Sequence, residues 1–469
     1  MQRFFITSLA TLALLLPAMA FSAESGGALD REARDALRRA TTYFRSISAR
    51  GGYLWWYSED LKERAGENLA TETQIWVQSP GTPAVGQALL RAYDVTRETS
   101  YLEAVQHAAE ALAWGQLESG GWTYLIDFDP ANQRSYRRAE KGQLNTNQIA
   151  KRRNVTTFDD DTTQLVLRFL MKLVAVNTNA SAEIRSALDY GLQGFLRAQY
   201  PNGAWPQGYD GRAHDPSVHQ PKPARFPETW SRTPDVKEYW HQYTFNDNVM
   251  RNCIQTALEA HRQFGKPEYL AAAKRAGDFI LLAQLPAPQR AWAQQYNFNM
   301  EPAWARRFEP PSICSGESAG LLRILLDLHA ATGDKKYVEP LPAAIDWLKR
   351  SQIAPERWAR FYELESNKPL YFTKDYRLVY TDNDLPTHYG FQGEFNIPAT
   401  IKQCEAMLKD GQQRKSERSP ASRSSLEPAI RRIIAALDAK GRWVTNGRIE
   451  SRAFIANVNA LCDYIEAKE

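Results

Sequence analysis

From Pro83 to Trp114 the chain reads PAVGQALLRAYDVTRETSYLEAVQHAAEALAW, two amphipathic segments around a short polar turn. Val85, Leu89, Leu90 and Tyr93 recur at helical spacing, and Leu102, Val105, Ala109 and Leu112 do so beyond the turn. This predicts a helical hairpin, with helices at Pro83–Thr96 and Tyr101–Trp114. Further helices are expected at Thr162–Val174, Ala182–Ala198, Asn248–Phe264, Tyr269–Leu282, Ser318–Thr332 and Tyr337–Ser351. Three more are expected near the C-terminus, at Asn396–Lys409, Glu427–Ala439 and Ala453–Glu466. The turns Phe264-Gly265-Lys266-Pro267-Glu268-Tyr269 and Thr332-Gly333-Asp334-Lys335-Lys336-Tyr337 have the same design, each placing a Tyr at the start of the next helix. Recurrent hairpins either stack as a solenoid or close in a circle. The expected fold class is all-α, an incomplete α/α toroid with long loops forming a cleft.

The loops carry Trp, Gly and Pro after the second helix of several pairs: Ser119-Gly120-Gly121-Trp122, Pro201-Asn202-Gly203-Ala204-Trp205-Pro206 and Ala291-Trp292. Residues 210–238, with many prolines and scattered histidines, read as an irregular insertion. Residues 410–425, rich in Ser, Arg and Lys, read as a flexible loop. No linker splits the chain, so residues 24–469 are expected to form one domain.

Bulk properties bound the function. At 469 residues and net charge +4, the balance is too mild to argue for nucleic acid. Arg3, the apolar run Ile6–Leu16 and Pro17-Ala18-Met19-Ala20 read as an export signal, residues 1–23, too short for a stable membrane anchor. The mature protein is expected to be secreted or periplasmic. Cys253, Cys314, Cys404 and Cys462 form no C-x-x-C pair, which excludes the usual zinc spacing and leaves disulfide pairing open.

Four constellations carry chemistry. Thr157-Phe158-Asp159-Asp160-Asp161 puts three consecutive carboxylates before a helix. They either cap it or hold a hard cation such as calcium. Thr244-Phe245-Asn246-Asp247-Asn248 repeats the design. Trp304-Ala305-Arg306-Arg307-Phe308-Glu309 offers guanidiniums suited to planar recognition of carboxylates, with aromatics able to stack on sugars. Arg360 and Lys374, fourteen residues apart, bracket an aromatic, charged segment.

In this order, over nearly all of the mature chain, these motifs resemble the family-ten polysaccharide lyases, the pectate lyases of α/α toroid fold. The resemblance also rests on Gln78-Ser79-Pro80-Gly81-Thr82-Pro83, Tyr200-Pro201-Asn202-Gly203-Ala204-Trp205-Pro206-Gln207, Gln294-Gln295-Tyr296 and Gly316-Glu317-Ser318. It implies calcium-assisted anti β-elimination of polygalacturonate. Asp159, Asp160, Asp161 and Asp247 match the acidic metal and substrate site. Arg306, Arg307 and Arg360 match bases that hold uronate carboxylates, with Trp304, Asn246 and Trp205 beside the substrate. Where the family resembles Gly-Arg-Asp, with that Arg as base, this chain reads Thr373-Lys374-Asp375. Lys374 is therefore the expected base, with Arg360 beside it in catalysis. Two alternatives stand: a binding relative without turnover, and a glycoside hydrolase using Glu363 and Glu365, or Asp159 and Asp247, as its carboxylate pair.

Overall fold

The computed structural model describes residues 18–234, 237–410 and 422–467. Residues 1–17 of the expected export signal 1–23, and most of the expected flexible loop, 411–421, lie outside these. Thirteen helices are described: α1 (Ala18–Ser46), α2 (Thr82–Thr96), α3 (Thr99–Trp114), the single turn α4 (Thr146–Ile149), α5 (Thr162–Val176), α6 (Ala182–Arg197), α7 (Val249–Phe264), α8 (Pro267–Ala283), α9 (Ser315–Thr332), α10 (Leu341–Arg350), α11 (Ile397–Asp410), α12 (Arg423–Ala435) and α13 (Ser451–Glu466). The expected helices are present, with most ends within a few residues. The Tyr-first rule fails in detail: Thr99 and Pro267 open α3 and α8, and Tyr337 lies in a 3-10 turn ahead of α10. The long helix α1 is an addition. It buries Leu29, Ala33, Ala36, Leu37, Ala40 and Phe44, one stripe at helical spacing.

Helices α13, α2, α5, α7, α9 and α11 pack side by side in that order, as the inner layer of an arc. Its open side lies between α11 and α13. Helices α3, α6, α8 and α10 lie outside their partners, and α1 and α12 flank α13. The fold is an incomplete α/α toroid. Within the pairs the buried faces are apolar; Val166, Leu167, Phe169 and Leu170 of α5 are fully buried.

Five tryptophans latch the layers together. The indoles of Trp122, Trp205, Trp358 and Trp443 each donate to the carbonyl ten residues earlier, at Leu112, Phe195, Leu348 and Ile433. Trp292 does the same to Ile280. Each acceptor lies near the end of an outer helix, so each latch fixes the chain as it turns back towards the next inner helix. Gly203 makes one such turn possible: its φ is +99°, and a Cβ there would sit 2.1 Å from the Arg275 carbonyl oxygen.

Short antiparallel strands, which the sequence did not signal, tie the loops together at one end. The strand before an inner helix pairs with the strand after its outer partner: Gln74–Trp76 with Leu125–Asp127, Thr156–Thr157 with Gly208–Tyr209, Tyr243–Thr244 with Gln295–Tyr296, and Ile313–Cys314 with Phe361–Tyr362. Residues 210–234 form no helix or strand and run as a strap. His214 and His219 pack on the Tyr200 ring, with centroids 4.2 and 4.1 Å away. Further on, Ser231 accepts from the Trp304 indole and Arg232 reaches Glu363 at 2.8 Å. The four cysteines are buried and unpaired. Among the described residues no helix is long and apolar enough to cross a membrane.

Candidate active site

Two turns of identical design build the acidic centre. After Thr156–Thr157, Phe158 is buried and the chain makes a 3-10 turn through Asp159–Asp161 before α5. After Tyr243–Thr244, Phe245 is buried and Asn246–Asn248 does the same before α7. Each turn holds two successive non-glycine residues in the left-handed region: Asp160 (φ 51°) and Asp161 (φ 61°), then Asp247 (φ 48°) and Asn248 (φ 59°). That conformation is costly and persists only where its surroundings enforce it. Because α5 and α7 are neighbours, the turns touch. Asp159, Asp160 and Asp247 each present a carboxylate oxygen, all within 4.8 Å of one another.

Neutral donors aim the three carboxylates. Asp159 accepts from Gln207 Nε2 and from the Tyr124 hydroxyl, both at 3.1 Å. Asp160 accepts from Gln78 Nε2 at 2.8 Å, and Gln78 is itself fixed by the Trp76 indole. Asp247 accepts from Asn246 Nδ2 at 2.7 Å. Burial, then mutual repulsion, raises the pKa of Asp159; the same causes take Asp160 to about 6. Burial also raises Asp247 against the pull of Arg306. Converging half-buried carboxylates that repel each other fit a hard divalent cation with oxygen ligands. These three residues would hold calcium.

Asp161 departs from this group. The left-handed turn swings its carboxylate to Arg168, with which it is ion-paired. The expected fourth metal ligand is therefore a partner of α5.

The basic side lies opposite. Arg306 is bidentate to Glu309, at 2.8 and 2.7 Å, and its Nη2 stands 3.7 Å from Asp247. Burial works against the Arg306 charge, but Glu309 and Asp247 outweigh it and raise the pKa. Arg360 donates from Nε to the Gly390 carbonyl at 2.7 Å and lies over the rings of Tyr389 and Phe395. Arg307 is exposed, its guanidinium 3.6 Å from the Tyr376 ring centroid. Lys374 sits on the turn between strands Pro369–Phe372 and Leu378–Val379. It is exposed and pairs with Asp384 at 3.4 Å.

Two aromatics expected at the substrate are core. Trp205 is fully buried as a latch, stacked on Phe195. Trp304 is 2 % exposed and held by Ser231. Asn246 is buried and acts on Asp247 rather than facing solvent. Gln78, Gln207 and Tyr124 had no expected role. The two glutamines stand inside recognised motifs; Tyr124 carried no signal.

A carboxylate triad therefore faces guanidiniums at the loop end of the toroid. The family model for pectic acid lyase matches residues 127–357, which include the triad and Arg306 and stop short of Arg360 and Lys374. Over those residues the chain is similar to the pectic acid lyase family. A solved family 10 polysaccharide lyase from Cellvibrio cellulosa is 19% identical, covering 70% of this chain and 97% of that one, with a TM-score of 0.46. A mutant of that lyase in complex with trigalacturonic acid is 18% identical over 70% of this chain and 99% of that one, TM-score 0.46. Cellobiose 2-epimerase from Bacillus thermoamylovorans is 12% identical over 94% and 99%, TM-score 0.47. No curated protein matches the chain.

Proposed function

We propose that this protein is a secreted or periplasmic, calcium-dependent pectate lyase cleaving polygalacturonate by anti β-elimination. The observation that carries this is the Asp159–Asp160–Asp247 triad set against Arg306. Calcium bound there would neutralise the uronate carboxylate and acidify the C5 proton. Arg306, Arg307 and Arg360 bind and orient uronate carboxylates and stabilise the charge that develops on them. Lys374, acting as the base, takes the C5 proton. The C5–H electron pair forms the C4–C5 double bond, and the C4 glycosidic oxygen leaves with its bond pair.

A second assignment of the base is favoured by the position of Lys374, exposed and paired with Asp384. Arg306 is the basic group next to the triad. A cation on Asp247 would cancel part of the charge that keeps this guanidinium protonated. The two assignments part on substitution. If Lys374 is the base, Lys374→Ala should cost roughly a hundredfold or more in kcat, within the usual range for a proton-transfer group, while Lys374→Arg keeps turnover. If Arg306 is the base, Lys374→Ala keeps turnover and Arg306→Ala abolishes it.

Hydrolysis is disfavoured. Asp159 and Asp247 are too close to admit a water between them as an inverting pair. Glu363 is occupied by Arg232, Tyr380 and Ser366, which hold it ionised despite burial. Mass spectrometry of the products decides: lyase fragments lack the added water, and fragments that carry it would overturn the proposal.

A further inference from the structure

The structure buries both tryptophans expected to meet a sugar, yet it exposes another, on a turn hydrogen-bonded to Gln207, whose side chain holds Asp159. Trp240 follows the strap, in the 3-10 turn Tyr239–His241, and is 36 % exposed. The turn is pinned from both halves of the site. The Trp240 carbonyl accepts from the Gln207 backbone N–H at 3.0 Å, and the Gln207 side chain donates to Asp159. The Tyr239 carbonyl accepts from Gln295 Nε2 at 2.7 Å, and Gln295 belongs to the strand leading to the Arg306 loop. The Tyr239 hydroxyl lies in the combined field of Arg306, Glu309, Asp159 and Asp247. The Trp240 indole rests against Gly208, where an added Cβ would lie 3.5 Å from Cδ1. The indole is therefore supported by the strand pair and held on a fixed backbone, with over a third of the residue in solvent. A core residue would be covered, and an incidental surface tryptophan would not be tied to both sides of a catalytic centre.

We propose that Trp240 is the stacking platform of a sugar subsite flanking the triad, taking the apolar face of a uronate pyranose next to the one whose carboxylate meets the guanidiniums. The inference rests on the pectate reading of the site. An aromatic ring covers the C–H face of a pyranose without competing for its charged edge, so it adds affinity and orientation where the arginines add charge recognition.

The test is native electrophoresis through gels containing polygalacturonate and calcium, which needs no turnover. Trp240→Ala should weaken retardation by up to about tenfold, the size of one good aromatic contact. Trp240→Phe, which keeps a ring, should fall between it and the unaltered protein. Calcium titration calorimetry of each variant should match the unaltered protein. Equal retardation of Trp240→Ala and the unaltered protein would overturn the platform and leave the pectate reading intact. Loss of calcium binding in Trp240→Ala would also overturn it, by making the residue structural. If the unaltered protein is not retarded at all, the pectate reading falls and the platform with it.

Discussion

Asp247 is the residue on which the site turns, since it joins the two carboxylate-bearing turns and stands nearest Arg306. Replacing it with Ala removes one of the three carboxylates proposed to hold the metal and leaves Arg306 to Glu309 alone. Calcium affinity, read by calorimetry, should fall by about a hundredfold or more, while the melting temperature of the metal-free protein holds or rises, because a repelling buried charge is gone. Protons compete for the same oxygens. With Asp160 at about 6 and Asp159 and Asp247 also raised, calcium affinity should climb as pH rises through 6. A flat profile from pH 5 to 8 would mean that other groups bind the ion. At this scale the sequence was legible where chemistry is local: Asp159, Asp160 and Asp247 stand out as carboxylates ahead of helices. Asp161 looked equivalent, and only the left-handed backbone at 160–161 sends it to Arg168. Trp205 and Trp304 misled because a Trp in a Gly- and Pro-rich loop serves equally as a sugar platform or as an interlayer latch. Burial separates the two roles, and burial is a tertiary property.

The strap is the element whose behaviour follows most directly from its packing. His214 and His219 both pack on Tyr200, with their own rings 5.7 Å apart, and His219 Nδ1 lies 3.0 Å from the Tyr243 hydroxyl. Burial, then the neighbouring His214, lowers the His219 pKa from 6.5 to about 4. A histidine buried neutral contributes stability that is full above 6.5 and is lost as pH falls towards 4. Acidification across that window should loosen the strap. His219→Phe should flatten the fall in melting temperature between pH 6.5 and 4; an unchanged slope would clear the histidine. Arg232→Ala removes the half-exposed partner of buried Glu363, which keeps its hydrogen bonds from Tyr380 and Ser366, and should cost about 1 kcal/mol. Gly203→Ala is the severe change of this class. It combines a left-handed backbone with contact against the Arg275 carbonyl, and should cost several times as much. The helices were legible because each buries one stripe. The strand pairs were not, since two or three residues carry no periodicity. The strap was legible as irregular, but not its course from Tyr200 to Glu363.

At the scale of the whole molecule, the toroid explains why the site lies where it does. Inner helices all begin at the same end, so the turns before α5 and α7 become neighbours, although Asp159 and Asp247 are far apart in sequence. The helix dipoles at those N-termini favour carboxylates there, and a bound cation would offset the repulsion that remains. The hairpin repeat and an incomplete toroid were expected from the sequence. That the open side lies between α11 and α13 was not, because its place depends on how helices meet and not on any one of them. The most direct measurement is ultraviolet absorbance of the unsaturated uronate product during incubation with polygalacturonate, first with calcium, then with chelator, then with calcium restored. A signal that rises, stops and resumes is the predicted result. A signal indifferent to chelator, or no unsaturated product from folded, calcium-loaded protein, would contradict the assignment of the triad to calcium-assisted elimination.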